Sequence, residues 1–196
     1  MIALKDILYK VTLNAVVGNT SINIHAVNFD SRKVENNHLF VAIRGLVADV
    51  MITLDDSVTY VEVDNSNKAL AIIASNFYEN PSENLRLVGV TGTNGKTTVT
   101  SLLYQLFKKA GYKVGLLSTV KIMVDEIEYK ATHTTPDSLT INKYLSEMNA
   151  EGVEFCFMEV SSHGIHQYRT KGLHFEGGIF TNLSHVLFLP ILHTII

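Results

Sequence analysis

Cysteine, tryptophan and proline are scarce in this sequence. Its 196 residues include one cysteine, no tryptophan and three prolines. The single thiol, Cys156, excludes a disulfide within the chain, which suits a reducing compartment. Cys156 lies between two phenylalanines in the run "FCFM". We therefore expect a buried structural thiol rather than a reactive nucleophile.

The sequence also lacks an excess of basic residues and long apolar runs. The formal net charge is −3, so the positive surface that attracts nucleic acids or anionic membranes is missing. No stretch approaches the ~20 apolar residues that span a bilayer. Lys5, Asp6 and Lys10 interrupt the N-terminus, and no signal peptide is predicted. We expect a cytoplasmic monomer with neither nucleic acid nor a membrane as partner.

The order of sequence patterns predicts two α/β units. Short strands broken by polar turns come first, and a helix in "NKALAIIASNFY" follows them. The apolar residues of this helix share one face: Ala69, Ile72, Ile73 and Phe77. Asn80-Pro81-Ser82 is a loop signal. We predict an N-terminal unit over residues 1–80 and a second unit over residues 81–196.

Strand and helix patterns alternate in the second unit. The predicted strands are "LRLVGV" (85–90), "KVGLLST" (113–119), "EFCFMEV" (154–160) and "GGIFTNLS" (177–184), and "KIMVDEIEYKA" (121–131) predicts a hairpin. The predicted helices are "TVTSLLYQLFKKAG" (98–111), which ends at Gly111, and "TTPDSLTINKYLSEMNAEG" (134–152), with Thr135 as N-cap and Pro136 in first position. The apolar face predicted for the first of these helices consists of Val99, Leu102, Leu103, Leu106, Phe107 and Ala110. This alternation predicts an α/β fold with a largely parallel sheet.

The stretch "GVTGTNGKTT" (89–98) lies between a predicted strand and a predicted helix. Its glycines allow backbone N–H groups to turn towards one point, where the helix N-terminus adds partial positive charge. Lys96 can reach the β and γ phosphates of a nucleotide, and the Thr97 hydroxyl can ligate Mg²⁺. Val90 occupies the place where the strict P-loop pattern has glycine. The alternative is an ordinary glycine-rich turn. The candidate ATP-binding residues are Gly92, Thr93, Asn94, Gly95, Lys96, Thr97 and Thr98.

The stretch from Thr91 to Thr97, "TGTNGKT", resembles the phosphate loop of the Mur ligase family. Four further segments resemble the tripeptide-forming, MurE-type branch of that family. They are "FDSRKVENNHLFVAIRG" (29–45), "THTTPDSLTI" (132–141), "MEVSSHGIHQYR" (158–169) and "FTNLS" (180–184). The resemblance implies a small uridine-nucleotide domain followed by a P-loop Mur ligase central domain.

The resemblance also implies an activity. Enzymes of this branch use ATP and Mg²⁺ to phosphorylate the D-glutamyl carboxylate of UDP-N-acetylmuramoyl-L-alanyl-D-glutamate. The amine of meso-diaminopimelate or L-lysine then attacks the acyl phosphate, and the product serves peptidoglycan synthesis. Expected partners are therefore the UDP-muramoyl-dipeptide and an amino-acid substrate.

Site residues follow from the residue types and from the resemblance. Glu159 ends a predicted buried strand, where α/β sheets place their sites, and its carboxylate can hold Mg²⁺ with Thr97. Lys96 and Glu159 are the predicted catalytic residues, although a salt-bridged glutamate at a strand end is the alternative for Glu159. By resemblance, Ser31 contacts the uridine nucleotide. The residues that would contact the muramoyl-peptide are Thr134, Thr135, Ser161, Gln167 and Arg169. Taken alone, Thr134 and Thr135 would be a helix N-cap, and the role of His163 stays open.

Two departures from the family pattern affect the expected activity. After residue 49 the N-terminal unit lacks a helix and a strand, ~20 residues at usual element sizes. After Ser184 the chain lacks the Asp-His pair, the downstream lysine and the C-terminal domain of the family, and an apolar tail stands there instead. We expect a truncated or frame-shifted product that is poorly soluble and inactive as a ligase. A small P-loop ATPase or kinase and a nucleotide-binding module without turnover remain alternatives.

Overall fold

A computed structural model describes residues 1–43, 58–131 and 133–183. The shortening predicted after residue 49 and the apolar tail after Ser184 lie outside the described residues. No helix in the described ranges is long and apolar enough to cross a membrane.

The N-terminal unit consists of short elements. They are β1 (Ile2–Ala3), α1 (Leu4–Ile7), β2 (Ala15–Val17), β3 (Asn23–Ile24), β4 (Ala26–Asn28), a 3₁₀ turn (Ser31–Lys33), β5 (His38–Phe40), β6 (Tyr60–Glu62) and α2 (Ser66–Phe77). The strands form three two-stranded sheets: β1 with β3 and β2 with β6 are antiparallel, and β4 with β5 is parallel. Short strands broken by polar turns are thus confirmed.

The second unit begins with a 3₁₀ turn at Pro81–Glu83. Its elements are β7 (Arg86–Thr91), α3 (Lys96–Lys109), β8 (Val114–Leu117), β9 (Lys121–Val124), β10 (Ile127–Lys130), α4 (Ser138–Ala150), β11 (Phe155–Glu159), α5 (Ser162–His166) and β12 (Gly177–Phe180). The strands of this unit form one six-stranded sheet in the order β10-β9-β8-β11-β7-β12. The pairs among β8, β11, β7 and β12 are parallel, and β9 and β10 form an antiparallel hairpin. The predicted α/β fold with a largely parallel sheet, including the hairpin, is confirmed.

The inner strands β7, β8 and β11 are largely buried on both faces, because α4 packs on one face of the sheet and α3 on the other. Cys156 and Met158 pack with Leu145 and Met148 of α4. Phe157, between them in the chain, packs on the other face with Tyr104 of α3. Cys156 is fully buried, and this confirms its prediction as a structural thiol.

Helix α3 buries only part of the face predicted for it. Leu103 and Phe107 of that face pack against the core beside Tyr104. Leu102 and Leu106 are 59% and 60% exposed, whereas Thr100 and Tyr104 are buried. The Tyr104 hydroxyl donates to the backbone carbonyl of Asp125 at 2.9 Å, so this side of the helix turns towards the β9–β10 hairpin. Apolar periodicity alone could not reveal that contact. The C-terminal glycine is confirmed, since Gly111 follows the cap residue with φ +93°.

Helix α2 is also buried more widely than its predicted single face. Leu70, Ala71 and Ala74 are buried in addition to Ala69 and Ile73. The helix contacts α1 on one side and α4 on another, so two of its faces are packed against other helices. The boundary predicted at residue 80 stays a prediction, since α2 also bonds across it through the Ser75 hydroxyl.

Helix α4 begins later than predicted. Its N-cap is Asp137, whose carboxylate accepts from the Thr140 backbone N–H at 3.0 Å. The prediction of Thr135 as N-cap and Pro136 in first position is wrong. The Thr135 hydroxyl instead donates to the backbone carbonyl of Glu159 at 3.0 Å, a partner 24 residues away in the chain.

Candidate nucleotide and metal site

The glycine-rich loop joins the carboxyl end of β7 to the first turn of α3. Gly92 and Gly95 have φ values of +136° and +86°, which L side chains rarely adopt. The first N–H groups of α3, from Lys96 to Thr98, have no partner within the helix. Such a strand, loop and helix terminus together form an anion-binding geometry.

The segment after β12 holds this loop in shape. The Asn182 side chain accepts from the Asn94 N–H at 3.0 Å and donates to the Asn94 carbonyl at 3.0 Å. The Asn182 carbonyl accepts from the Thr93 N–H at 3.1 Å. The Thr181 hydroxyl donates to the Asn94 carbonyl at 2.6 Å, and a Cβ at Gly92 would lie 2.1 Å from that hydroxyl. These contacts fix the loop without any ligand.

The Lys96 side chain folds back over the loop. Its ammonium group donates to the carbonyl of Gly92 at 2.8 Å and to that of Thr93 at 3.1 Å. Since an ammonium group has three donors, one remains beyond these two bonds. The charge of Lys96 therefore stands beside the backbone N–H groups that begin α3.

Glu159 is the last residue of β11 and is 1% exposed. Its Oε2 accepts from the Thr97 hydroxyl at 3.0 Å and from the Thr119 hydroxyl at 3.2 Å, and its Oε1 accepts from the Thr119 N–H at 2.8 Å. Among the salt bridges of the described residues, none includes Glu159. The alternative of a salt-bridged strand-end glutamate is therefore not what the structure shows. Neutral donors surround a buried carboxyl group that a cation would complement.

The pair formed by Thr97 and Glu159 fits a magnesium ion. Adjacent ligands of an octahedral Mg²⁺ with bonds of 2.0–2.1 Å lie about 2.9 Å apart. The two side-chain oxygens are 3.0 Å apart, and both are of the hard oxygen type that Mg²⁺ prefers. Within residues 1–43, 58–131 and 133–183 no cluster of three or more His, Cys, Asp or Glu side chains could hold a metal by itself. Phosphate oxygens and water would have to complete the coordination.

Four of the residues assigned to the muramoyl-peptide form one network. Arg169 donates through Nη1 to the Thr135 carbonyl at 2.5 Å, and through Nε and Nη2 to Gln167 Oε1 at 2.9 and 2.7 Å. The Thr135 hydroxyl oxygen lies 3.1 Å from Ser161 Oγ and accepts from the Ser161 N–H at 2.9 Å. Because Thr135 is 1% exposed, its hydroxyl serves the fold. His163 joins the network at its edge, with Nε2 lying 2.8 Å from the Gln167 amide nitrogen.

Two predicted residues lie outside these clusters. Ser31 is exposed in the 3₁₀ turn of the N-terminal unit, which Asp30 caps. The Arg32 guanidinium holds the pKa of the Asp30 carboxyl at about 2, below its ordinary value of 3.8. Thr134 is half-buried beside Thr135. The ligand contacts of both Ser31 and Thr134 stay predictions.

No pattern in the sequence assigned a role to Thr119, Thr181 or Asn182, or predicted the short helix α5. Thr119 and Thr181 each follow the carboxyl end of a parallel strand of the central sheet, β8 and β12. Sites of α/β folds form at that edge, so polar residues just after each strand are the signal that could have found them.

A glycine loop between strand and helix, with a buried carboxylate at the end of the neighbouring strand, defines the class of P-loop-type nucleotide-binding α/β domains. The Mur ligase middle domain family matches residues 90–186. Curated relatives from Cytophaga hutchinsonii and Bacteroides fragilis match 93% and 92% of the chain. The chain belongs to the Mur ligase family.

Two similar curated proteins are both named UDP-N-acetylmuramoyl-L-alanyl-D-glutamate–2,6-diaminopimelate ligase. The protein from Cytophaga hutchinsonii is 47% identical over 203 aligned positions, which cover 93% of this chain and 42% of the relative. The protein from Bacteroides fragilis is 45% identical over an alignment that covers 92% of this chain and 41% of that protein. The chain thus spans less than half of these relatives. Because the first alignment is longer than this chain of 196 residues, the relative has positions without a counterpart here.

The fold is similar to that of solved structures. A structure titled as UDP-N-acetylmuramoyl-L-alanyl-D-glutamate–2,6-diaminopimelate ligase superposes with a TM-score of 0.73 at 21% identity, covering 94% of this chain and 41% of that one. A structure titled as MurF from Acinetobacter baumannii gives a TM-score of 0.51 at 18% identity, covering 80% of this chain and 35% of that one. Both likenesses concern the fold.

Proposed function

We propose that this chain is the nucleotide-binding part of an ATP-dependent ligase of peptidoglycan precursor synthesis. The ligase would join an amino acid to UDP-N-acetylmuramoyl-L-alanyl-D-glutamate through an acyl phosphate. The names of the relatives support diaminopimelate as that amino acid. The observation that carries the proposal is the pairing of Thr97 with the buried Glu159 beside the glycine loop.

The residues of the loop suit phosphoryl transfer, which needs positioning and charge neutralisation more than covalent help. The first N–H groups of α3 and the Lys96 ammonium would bind the β and γ phosphates. Thr97 and Glu159 would hold Mg²⁺, which neutralises phosphate charge when bound. The Asn182 contacts hold Asn94 in place, so the loop needs little reordering when the nucleotide enters.

The network around Arg169 would face the muramoyl-peptide. Three of the five N–H groups of a guanidinium are used by Thr135 and Gln167, which leaves two for a carboxylate or a phosphate. Ser161 and Thr134 would add hydroxyl contacts, and Ser31 would contact the uridine nucleotide from the N-terminal unit. In this proposal Thr135 acts through its carbonyl, which orients Arg169.

The remaining parts of the proposal concern the chain as a whole. We place the division between its two units at residue 80, and we propose a cytoplasmic monomer whose partners are small molecules. Gel filtration with light scattering measures the oligomeric state directly. A stable dimer would contradict this part of the proposal.

Nucleotide binding tests the first half of the proposal. A fluorescent ATP analogue is titrated into the chain with and without Mg²⁺, and into Lys96→Ala and Glu159→Gln. We expect Lys96→Ala to weaken binding under both conditions and Glu159→Gln to remove the effect of Mg²⁺. Lys109→Ala, at the exposed far end of α3, is the matched control and should bind normally. Equal binding by all variants would contradict the proposed site.

Binding of the UDP-muramoyl-dipeptide tests the second half. Isothermal titration calorimetry compares the chain with Arg169→Ala, which should bind at least about tenfold more weakly because a charge-assisted contact is lost. Arg86→Ala is the control, since Arg86 begins β7 at the opposite edge of the sheet. Equal losses in both variants would overturn the role of Arg169.

A further inference from the structure

The tip of the β8–β9 hairpin carries a residue that the turn itself does not need. Ser118 and Lys121 close the turn: the Ser118 N–H and hydroxyl donate to the Lys121 carbonyl at 3.1 and 2.7 Å. The Lys121 N–H donates back to the Ser118 hydroxyl at 3.2 Å. Thr119 and Val120 project from this closed turn and are exposed.

Both donors of Thr119 reach across the sheet to one carboxyl group. The Thr119 N–H lies 2.8 Å from Oε1 of Glu159, and the hydroxyl lies 3.2 Å from Oε2. The last torsion of a glutamate side chain is broad and weakly restrained by itself. Two donors, one on each oxygen, fix the plane of the carboxyl group. Oε2 is thereby held 3.0 Å from the Thr97 hydroxyl.

We propose that Thr119 is a positioning residue that orients the Glu159 carboxylate for a divalent cation bound with the nucleotide. This inference rests on the proposed function. A cation on Oε2 takes the place of the hydrogen bond from Thr97, while the Thr119 N–H continues to hold Oε1. The hairpin tip therefore sets the affinity for the cation and leaves the contacts of the glycine loop with the phosphates unchanged.

The test separates cation affinity from nucleotide affinity. Thr119→Val removes the hydroxyl at nearly constant shape, and Thr119→Ser keeps it. Thr12→Val is the matched control, since Thr12 is exposed in the N-terminal unit. A fluorescent ATP analogue is titrated in EDTA, and Mg²⁺ is then titrated at fixed analogue concentration. Unfolding in urea shows that each variant is folded.

Thr119→Val should need about 3- to 10-fold more Mg²⁺ for half-maximal effect, because one of the two hydrogen bonds that orient the Glu159 carboxyl group is lost. Its affinity for the analogue in EDTA should stay within about twofold. Thr119→Ser and Thr12→Val should both reach half-maximal effect at the same Mg²⁺ concentration as the unaltered chain.

Each other outcome overturns the inference. If Thr119→Val has an unchanged requirement for Mg²⁺ while the unaltered chain binds Mg²⁺ and nucleotide, the inference fails and the proposed function stands. If Thr119→Val weakens binding of the ATP analogue by the same factor in EDTA as in Mg²⁺, Thr119 acts on the glycine loop and not on the cation. If the unaltered chain binds no nucleotide under any condition, the proposed function and the inference fail together.

Discussion

Gly92→Ala perturbs the loop at the point where it meets the end of β12. A Cβ at Gly92 would lie 2.1 Å from Thr181 Oγ1 and 3.0 Å from the backbone N and O of Asn182. The Thr181 hydroxyl, whose one hydrogen is shared between the carbonyls of Thr91 and Asn94, would have to leave both. The unfavourable φ costs about 1–3 kcal/mol and the loss of this shared hydrogen bond about 1 kcal/mol. We expect a total loss of about 2–4 kcal/mol in the free energy of unfolding.

Gly111→Ala is the matched control. Gly111 also has a positive φ, of +93°, but a Cβ there would meet nothing within 4 Å. Only the conformational cost of about 1–2 kcal/mol should appear. The double variant Gly92→Ala/Thr181→Ala should recover part of the loss, because it removes the contact at Oγ1 and leaves the two contacts with the Asn182 backbone.

Urea unfolding followed by circular dichroism measures these differences, and titration of an ATP analogue measures their effect on the loop. Gly92→Ala should bind the analogue at least about tenfold more weakly, since the phosphate-binding backbone has moved. Gly111→Ala should bind it normally. If the two single variants lost equal stability and bound the analogue equally, the fit of Gly92 against Thr181 would not be what holds the loop.

Three further predictions concern single side chains. Thr181→Val, which removes the hydroxyl that donates to the loop, should weaken binding of an ATP analogue several-fold with and without Mg²⁺; Thr181→Ser should not, and equal losses would refute the role of the hydroxyl. Burial raises the pKa of the Cys156 thiol, so Ellman's reagent should label it only after unfolding; rapid labelling of the folded chain would contradict the packing. Arg32 lowers the pKa of Asp30 from its ordinary value of 3.8 to about 2 in the folded chain. The ionised Asp30 therefore contributes to the stability of the fold above pH 3.8, and this contribution is lost as the pH falls through about 2. Carboxyl chemical shifts should follow that titration, and Arg32→Ala should return the pKa towards 3.8; an unchanged pKa would count against the Arg32 contact.

Local sequence patterns predicted the elements of the second unit well. The strands that became β7 and β11 and the β9–β10 hairpin follow from apolar runs and their spacing. The glycine loop follows from its composition, because glycine at positions 92 and 95 is needed for the backbone conformation there. The position of Glu159 at the end of a buried strand could also be predicted, since the strand is continuous and apolar.

Contacts between distant segments could not be predicted in the same way. The N-cap of α4 is Asp137 because the Thr135 hydroxyl finds a partner on β11. The exposed position of Leu102 depends on how α3 leans towards the hairpin. Thr119 can donate to Glu159 only because β8 and β11 are neighbours in the sheet. Local sequence patterns do not predict the order of strands in a sheet.

The central claim is that Thr97 and Glu159 hold the divalent cation of a bound nucleotide. The most direct measurement is a crystal structure of the chain with Mn²⁺ and a non-hydrolysable ATP analogue, with the cation located by anomalous scattering. The account predicts an anomalous peak in contact with the Thr97 hydroxyl and a Glu159 carboxylate oxygen, with the phosphates on the loop from Gly92 to Lys96. A nucleotide bound on that loop with the cation away from Glu159, or a nucleotide bound elsewhere on the chain, would contradict it.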